Sequence, residues 1–203
     1  MAPAVSRLEV LAPLSGVLVA LETVPDPVFA KKMAGEGVSI DPTSCEVLAP
    51  VSGVVTQLHE AHHAVAIMCG AVEILIHIGI DTVLLRGQGF TPMVKKGDTV
   101  RAGQPLLSFD ADFVAGKAKS LLTQIVVANG ESVRSMTTAT GLVRAGQDAI
   151  LTLELTDAPQ TGSEPSQASG EFVLSDPVTV PNPAGMHARP AARPEQQHFA
   201  DMQ

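Results

Sequence analysis

The chain has 203 residues, of which 45% are hydrophobic and 17% charged, a composition typical of a globular protein and not of a disordered one. Aromatic residues make up only 3% and Trp and Tyr are absent, so the core must be built from aliphatic side chains. The net charge of −8, with Lys31–Lys32 and Lys95–Lys96 as the longest basic runs, argues against nucleic acid as the main partner, because phosphate backbones require a clustered basic surface.

The sequence also bears on the compartment in which the protein works. No stretch approaches 18 consecutive apolar residues, so we expect no membrane insertion. The first residues lack the charged and apolar regions of a signal peptide, and Cys45 and Cys69 are therefore predicted to be reduced thiols. The alternative is a disulfide between these two cysteines. Because no secretory signal is found, we predict reduced cysteines in a cytoplasmic protein.

Residues 1–8 are predicted to be a short leader, and residues 9–156 an all-β domain. Many short apolar runs in this domain are separated by Gly, Pro and Asp turns, a pattern that predicts a β-sandwich or squashed barrel. The clearest predicted strands cover residues 16–21, 53–58, 64–68, 72–80, 105–109 and 149–155. One helix is predicted over residues 111–122, where the acidic Asp112 precedes Lys117 and Lys119.

Two short sequences occur twice in this domain. APLSGV at residues 12–17 recurs as APVSGV at residues 49–54, and RAGQPLL at residues 101–107 is echoed by RAGQDAI at residues 144–150. In each case a glycine turn leads into an apolar strand, which favours related hairpins within one barrel. Chance reuse of the same turn residues is the alternative.

His77 lies within the most strand-like run of the chain, residues 72–80. Alternation along this strand places four isoleucines on one face: Ile74, Ile76, Ile78 and Ile80. Gly79 shares the other face with His77, and we expect it to keep that face open to an approaching group. With the carboxylate of Asp81 at the strand end, His77 is a candidate nucleophile, although a buried core histidine explains the same pattern.

His63 precedes the neighbouring predicted strand and belongs to a cluster with His59 and His62. A hairpin that turns at residues 68–71 brings His63 near His77, because each lies several residues from the turn on opposite arms. Paired imidazoles can bind a metal, or they can hold a phosphoryl group between a nucleophile and a hydrogen-bond donor. The alternative for all three histidines of the cluster is simple exposure to solvent.

Several motifs follow one another in a recognisable order: APLSG at residues 12–16, VPDPVFA at 24–30, APVSG at 49–53, His63-Ala64, and VEILIHIGIDTV at 72–83. Through these motifs, residues 9–155 resemble the glucose-type enzyme IIA domain of the bacterial phosphoenolpyruvate-dependent sugar phosphotransferase system. The resemblance implies an antiparallel β-sandwich of the duplicated-hybrid-motif type and a phosphohistidine intermediate.

The resemblance also implies roles for individual residues. His77 falls on the phosphorylated histidine of the family, and His63 falls on its partner, which contacts the phosphoryl group. Asp81 falls on an acidic position at the rim of the site. Phe29 and Val83 fall on the apolar surface around it, where the phosphocarrier and the sugar permease dock.

The sequence departs from the family in two places. Ala61 stands where the family often has a threonine that is hydrogen-bonded to the histidine pair. We therefore expect different hydrogen-bond support for the histidines here. The short leader also lacks the amphipathic membrane-binding segment that some members carry.

Beyond the β domain, residues 157–170 contain no large apolar side chain and are predicted to be a flexible linker. Residues 183–192, with the sequence PAGMHARPAA, resemble the active-site segment of the histidine phosphocarrier (HPr) of the same pathway. That resemblance implies His187 as a phosphoryl carrier at a helix N-terminus and Arg189 as its charge partner. Only 33 residues follow the linker, and Pro194 disrupts the helix, so residues 171–203 are predicted to be a truncated α/β segment without function.

We therefore predict a phosphotransferase component that accepts a phosphoryl group from an HPr-type phosphocarrier onto His77 and passes it to the IIB or IIC domain of a sugar permease. The predicted cycle requires no metal and no cofactor, and the resemblance favours glucose or N-acetylglucosamine as the sugar. A regulatory module that binds transporters or kinases according to its phosphorylation state is a compatible alternative. A metal-dependent hydrolase that uses His63 and His77 is another, but the sequence lacks a His-x-His or His-Glu-x-x-His motif. A swinging-arm carrier would need a lysine hairpin that Lys95-Lys96 does not provide.

Overall fold

The computed structural model describes residues 6–156, in which short antiparallel strands alternate with turns. The strands are β1 (Ser6–Leu11), β2 (Gly16–Val19), β3 (Glu36–Pro42), β4 (Glu46–Leu48), β5 (Gly53–Leu58), β6 (Ala64–Cys69), β7 (Val72–His77), β8 (Phe90–Pro92), β9 (Thr99–Val100), β10 (Pro105–Phe109), β11 (Thr123–Val127), β12 (Val133–Thr138), β13 (Leu142–Val143) and β14 (Ala149–Leu155). The helices are α1 (Pro27–Ala30) and α2 (Ala111–Ala115), with 3₁₀ turns at Leu21–Thr23, Thr82–Leu85 and Gly130–Ser132. None of the helices in this range is long and apolar enough to cross a membrane.

The strands form one large sheet and two small ones. The large sheet has the order β13-β2-β3-β11-β7-β6-β5-β9, and the small sheets have the orders β1-β14-β12 and β4-β10-β8. Aliphatic side chains of all three sheets meet in one core, whose fully buried members include Val10, Ile40, Ile74, Leu106 and Ile150. Burying such a side chain contributes roughly 1.5–3 kcal/mol, so an aliphatic core compensates for the scarcity of aromatic residues. The predicted all-β fold is confirmed.

The repeated sequences occupy equivalent places in this fold. The hydroxyl of Ser15 accepts a hydrogen bond from the N–H of Ala145 at 3.0 Å. The hydroxyl of Ser52, at the matching position of the second copy, accepts one from the N–H of Ala102 at 2.9 Å. In both cases an APxSG sequence therefore contacts an RAGQ sequence through the same pair of atoms, which favours structural repetition over chance.

The predicted helix over residues 111–122 is too long, because α2 ends at Ala115. Asp110 caps its first turn by accepting the N–H of Phe113 at 3.0 Å, and Gly116 follows its last residue. Residues beyond the helix pair elsewhere: the N–H of Lys119 donates to the carbonyl of Ile80 at 3.1 Å. A helix that continued to residue 122 would lose this long-range contact.

The ends of the domain differ slightly from the predicted boundaries. β1 begins at Ser6, inside the predicted leader of residues 1–8, because Ser6 pairs with Leu155 at the end of β14. The predicted linker over residues 157–170 and the phosphocarrier-like segment over residues 171–203 lie outside the described residues.

Candidate functional site

His77 is the last residue of β7, at a point where this strand is paired on both sides. It lies opposite Ala64 of β6 and opposite Gln124 of β11. The preceding residue, Ile76, is fully buried in the core, so the side chain of His77 lies on the other face of the sheet, where it is half-buried. The pairing on both sides fixes the backbone that carries this imidazole.

The chain turns immediately after His77, and the predicted strand to residue 80 is therefore too long. Gly79 and Asp81 both have left-handed backbones, with φ of +69° and +64°. Ile80 consequently packs with Phe29 in a second apolar cluster and not in the main core. The predicted isoleucine face is correct for its first three members and wrong for Ile80.

Gly79 does not lie beside His77 on an open face, as predicted, but holds the imidazole through its carbonyl. The carbonyl oxygen of Gly79 lies 3.0 Å from Nδ1 of His77. Because a carbonyl only accepts, Nδ1 carries the proton and Nε2 keeps its lone pair. A Cβ at residue 79 would lie 2.6 Å from Cγ2 of Thr82 and 2.9 Å from the carbonyl oxygen of Ser120, so this turn requires glycine.

His63 lies against His77 across the β6–β7 hairpin. The carbonyl of His63 accepts a hydrogen bond from the N–H of Ile78 at 2.8 Å, which fixes the backbone just before β6. The two imidazole centroids are 4.8 Å apart, with the ring planes at 82°. The structure thus brings together the two histidines that the sequence pattern placed on opposite arms of a hairpin.

A third imidazole, which the sequence pattern did not single out, completes a row of three. The ring of His59 lies 4.4 Å from the ring of His63, with the planes at 61°. Its Nδ1 accepts a hydrogen bond from the N–H of Ala61 at 3.0 Å, so the neutral ring carries its proton on Nε2. The available signal was the spacing of the histidine cluster, which does not show that the ring of His59 lies beside the ring of His63.

Burial makes both central histidines weak bases. The pKa of His63 is lowered to about 4, mainly by burial and further by the neighbouring imidazoles. Burial also lowers the pKa of His77, although the hydrogen bond with the carbonyl of Gly79 partly offsets the effect. Both rings are therefore neutral near pH 7, and a neutral imidazole nitrogen is a nucleophile.

Two buried side-chain atoms of the described residues lack a hydrogen-bond partner, and both belong to this site. They are Nδ1 of His63 and Oε1 of Gln124. Gln124 lies opposite His77, and its Nε2 donates to the carbonyl of Leu122 at 2.6 Å. Unpartnered buried polar atoms are rare and call for a functional or structural reason. The lack of support at His63 agrees with the expectation raised by Ala61.

An apolar rim borders His77 on its open side. Phe29 packs against His77 with ring centroids 5.0 Å apart. Because it is only 6% exposed, it lines the depression beside His77 but offers little surface to a partner. Asp81 and the 46% exposed Val83 line the same depression as His77. Val28, which the sequence pattern did not single out, lines the same depression and is 43% exposed, and the 75% exposed Leu84 follows Val83 in the chain.

Helix α1, which carries Phe29, is held at its N-terminal end. Oδ1 of Asp26 caps the helix by accepting the N–H of Val28 at 2.8 Å, and proline suits the first helical position. Nζ of Lys119 donates to the carbonyl of Pro25 at 2.7 Å. These bonds fix the place at which Phe29 meets His77.

Metal ligands, the two cysteines and the remaining predicted site residues were considered in turn. Within residues 6–156, no group of three or more His, Cys, Asp or Glu side chains is arranged to hold a metal ion. Cys45 and Cys69 are free thiols. His187 and Arg189, predicted from the phosphocarrier-like segment, lie outside the described residues.

Comparison with known proteins gives consistent matches over the β domain. A family described as the phosphoenolpyruvate-dependent sugar phosphotransferase system, EIIA 1, matches residues 8–133. The chain is 42% identical over 148 residues to the PTS system glucose-specific EIIA component of Buchnera aphidicola subsp. Acyrthosiphon pisum, which spans 72% of this chain and 92% of that protein. The protein of the same name from Oceanobacillus iheyensis is 45% identical over 147 residues, or 71% of this chain and 89% of that one. Among solved structures, glucose permease IIA from Mycoplasma capricolum matches with a TM-score of 0.68 and 37% identity, covering 72% of this chain and 96% of that one.

Proposed function

The chain belongs to the EIIA family of the phosphoenolpyruvate-dependent sugar phosphotransferase system, and we propose that His77 is the residue of this member that carries the phosphoryl group. As a family member, the protein is a phosphoryl-transfer component of sugar uptake. The proposed intermediate is a phosphohistidine at Nε2 of His77, which accepts the group from an HPr-type phosphocarrier and passes it to a sugar permease domain.

The observation that carries the proposal is the hydrogen bond between His77 and Gly79. It ties up Nδ1 at 3.0 Å and leaves the lone pair of Nε2 free for attack. In the proposed step, Nε2 forms a bond to phosphorus while the bond from phosphorus to the carrier's histidine nitrogen breaks, and the carrier nitrogen keeps the electron pair. Because β7 is paired on both sides at His77, the nucleophile is positioned in advance.

His63 is the proposed partner in charge stabilisation. A phosphoryl group adds about 1.5 to 2 negative charges near neutral pH. The ring of His63, 4.8 Å from that of His77, can donate an N–H to the phosphoryl oxygens. Positioning and charge stabilisation are the main contributions that proteins make to phosphoryl transfer. The site residues supply both without requiring a metal or a cofactor.

The apolar rim is the proposed docking surface for both partners. Val28 and Val83 are 43% and 46% exposed, and Leu84 is 75% exposed. Exposed apolar clusters of this kind mark interaction surfaces, and a small one suits the weak, transient encounters that successive transfers require. The phosphocarrier and the IIB or IIC domain of the permease must both reach His77, so we propose that they use this surface in turn. Regulatory targets that recognise the phosphorylation state would bind the same surface.

The proposed sugar is glucose or N-acetylglucosamine. The matched relatives are named glucose-specific EIIA components. We further propose that residues 9–156 act as the transfer domain, that residues 157–170 link it to the rest, and that the phosphocarrier-like residues His187 and Arg189 take no part in the reaction.

The experiment is phosphorylation by the purified general components of the system, with labelled phosphoenolpyruvate. His77→Gln should abolish label uptake by the β domain. His63→Gln should still accept label but fail to donate it to permease-containing membranes that are supplied with a panel of sugars. His62→Asn is the matched control, because it removes an imidazole from the same turn at a left-handed position that asparagine tolerates.

The control and the tail variant complete this test. His62→Asn and His187→Ala should both accept and donate label at the rate of the unaltered protein. Full labelling of the His77→Gln domain would contradict the assignment of the phosphorylated residue. Unimpaired donation by His63→Gln would contradict the separate role of His63.

A further inference from the structure

The segment that carries helix α1, residues 24–31, is tied to the rest of the domain at one point. Nζ of Lys119 donates to the carbonyl of Pro25 at 2.7 Å, across 94 residues of chain. Every other hydrogen bond that the α1 segment makes within the described residues joins groups at most five residues apart, such as the N–H of Met33 and the carbonyl of Val28. Apart from the bond to Lys119, the segment is held by apolar packing, to which Phe29 contributes.

The main chain of Lys119 is fixed to the turn that follows His77. Its N–H donates to the carbonyl of Ile80 at 3.1 Å, and the N–H of Ile80 donates back to the carbonyl of Ser120 at 2.8 Å. Gly79, whose carbonyl holds Nδ1 of His77, is the residue before Ile80. Lys119 therefore contacts the turn behind the nucleophile with its main chain and the α1 segment with its side chain.

The chemistry of the α1 segment explains why the donor comes from outside. Pro25 and Pro27 have no N–H, so this turn has few donors of its own with which to bind the domain. The carbonyl of Pro25 accepts from an ammonium group, and hydrogen bonds to a charged donor are stronger than neutral ones. Lys119 is itself exposed, so replacing its side chain leaves no cavity in the core.

We propose that Lys119 is a positioning residue for phosphoryl transfer, because its ammonium group holds the α1 segment in the place relative to His77 at which a phosphocarrier contacts both. The inference rests on the proposed function of His77 and of the apolar rim. Val28 lies on α1, is 43% exposed and lines the depression beside His77. Without the bond, this surface must be ordered in each encounter, and that cost weakens the binding of the carrier.

Three substitutions separate the hydrogen bond from charge and from packing. Lys119→Met removes the donor but keeps an unbranched apolar side chain, whereas Lys119→Arg keeps both the charge and a donor. Lys117→Met is the matched control, because it removes the same charge two residues earlier in the chain. Nζ of Lys117 lies 4.8 Å from the ring centroid of Phe113 and is not bonded to the α1 segment.

The first measurement is the rate of label transfer from a phosphorylated HPr-type carrier, with kcat and KM determined separately. Lys119→Met should raise KM for the carrier by about three- to tenfold, the effect of one lost hydrogen bond. Its kcat should stay within about twofold, because the bond between Nδ1 of His77 and Gly79 is unaltered. Lys119→Arg and Lys117→Met should keep both constants within about twofold of the unaltered protein.

Three kinetic outcomes would overturn the inference. An equal rise in KM for Lys119→Met and Lys117→Met would show that loss of charge alone explains the effect. A fall in kcat without a rise in KM would show that the residue acts on the chemical step and not on docking. A loss in Lys119→Arg as large as that in Lys119→Met would show that the donor is not what matters.

Amide hydrogen exchange tests the same bond without any transfer reaction. The N–H groups of Ala30 and Lys31 donate to carbonyls of the α1 segment. They should exchange about three- to tenfold faster in Lys119→Met than in the unaltered protein or in Lys117→Met. The N–H of Ala12, which donates to the carbonyl of Asp148, is the internal reference and should not change.

Unchanged exchange of Ala30 and Lys31 in Lys119→Met would overturn the inference, whatever the kinetics show. Absence of label on His77 in the unaltered protein would instead refute the proposed function. Because hydrogen exchange requires no phosphoryl donor, the two failures are distinguishable.

Discussion

Replacing Gly79 with alanine tests how the turn after β7 holds the nucleophile. The residue has φ of +69°, where an L side chain costs about 1–2 kcal/mol. The added Cβ would lie 2.6 Å from Cγ2 of Thr82 and 2.9 Å from the carbonyl oxygen of Ser120, and overpacking of this kind costs about 1–3 kcal/mol. We therefore expect Gly79→Ala to lower the free energy of unfolding by roughly 2–5 kcal/mol.

Gly70→Ala is the matched control on the other end of the same strand. Its φ is +60°, and a Cβ there would have no neighbour within 4 Å, so only the backbone cost of about 1–2 kcal/mol applies. Urea unfolding with equal m-values measures both variants on one scale. Gly79→Ala should also slow phosphoryl acceptance by about tenfold or more, because the carbonyl that orients Nδ1 of His77 must move. Equal stabilities within about 0.5 kcal/mol, with an unchanged acceptance rate, would refute this reasoning.

Two further predictions concern stability. Because the pKa of His63 falls from 6.5 to about 4 on folding, the unfolded chain binds more protons between these values, and the free energy of unfolding should drop by on the order of 3 kcal/mol as the pH falls through this range. Urea titrations at several pH values should show this slope in the unaltered protein and a weaker one in His63→Gln; parallel slopes would count against it. Thr82→Val should lower the free energy of unfolding by about 1–2 kcal/mol relative to Thr82→Ser, because the Thr82 hydroxyl donates to the carbonyl of Ile78 at 2.6 Å in a buried place; equal midpoints for the two variants would show that this bond contributes little.

The contact between His63 and His77 could be predicted from the sequence because it depends on local spacing. Two apolar runs joined by a short turn form a hairpin, and counting residues from the turn puts Ala64 opposite His77. The bounds of several strands were predictable because they depend on a local apolar run and on the turn residues at its ends. The predicted strands at residues 53–58, 105–109 and 149–155 match the structure at both ends.

The features that the sequence did not reveal depend on partners distant along the chain. Gln124 reaches His77 only because β11 lies beside β7, a neighbour 47 residues away in sequence order that no local pattern indicates. The helix after Asp110 stops early because Lys119 bonds to Ile80. Ile80 leaves its predicted face because the residues on either side of it, Gly79 and Asp81, adopt left-handed backbones.

His59 illustrates a different limit. Its position in a histidine-rich turn was visible, but the orientation of its ring depends on the hydrogen bond from the N–H of Ala61 to its Nδ1. The side chain of Ala61 is a methyl group and offers no hydrogen bond to the unpartnered Nδ1 of His63.

The pairing of β1 with β14 has a consequence for how this domain can be joined to others. Ser6 lies opposite Leu155, so the chain enters and leaves the described domain side by side, on adjacent strands of a small sheet. A short peptide can bridge these two ends, and new ends opened in an exposed loop elsewhere would yield a circular permutant that keeps all strand pairings. Because its two ends are adjacent, the whole domain can also be inserted into a surface loop of another protein without changing the arrangement of the three histidines.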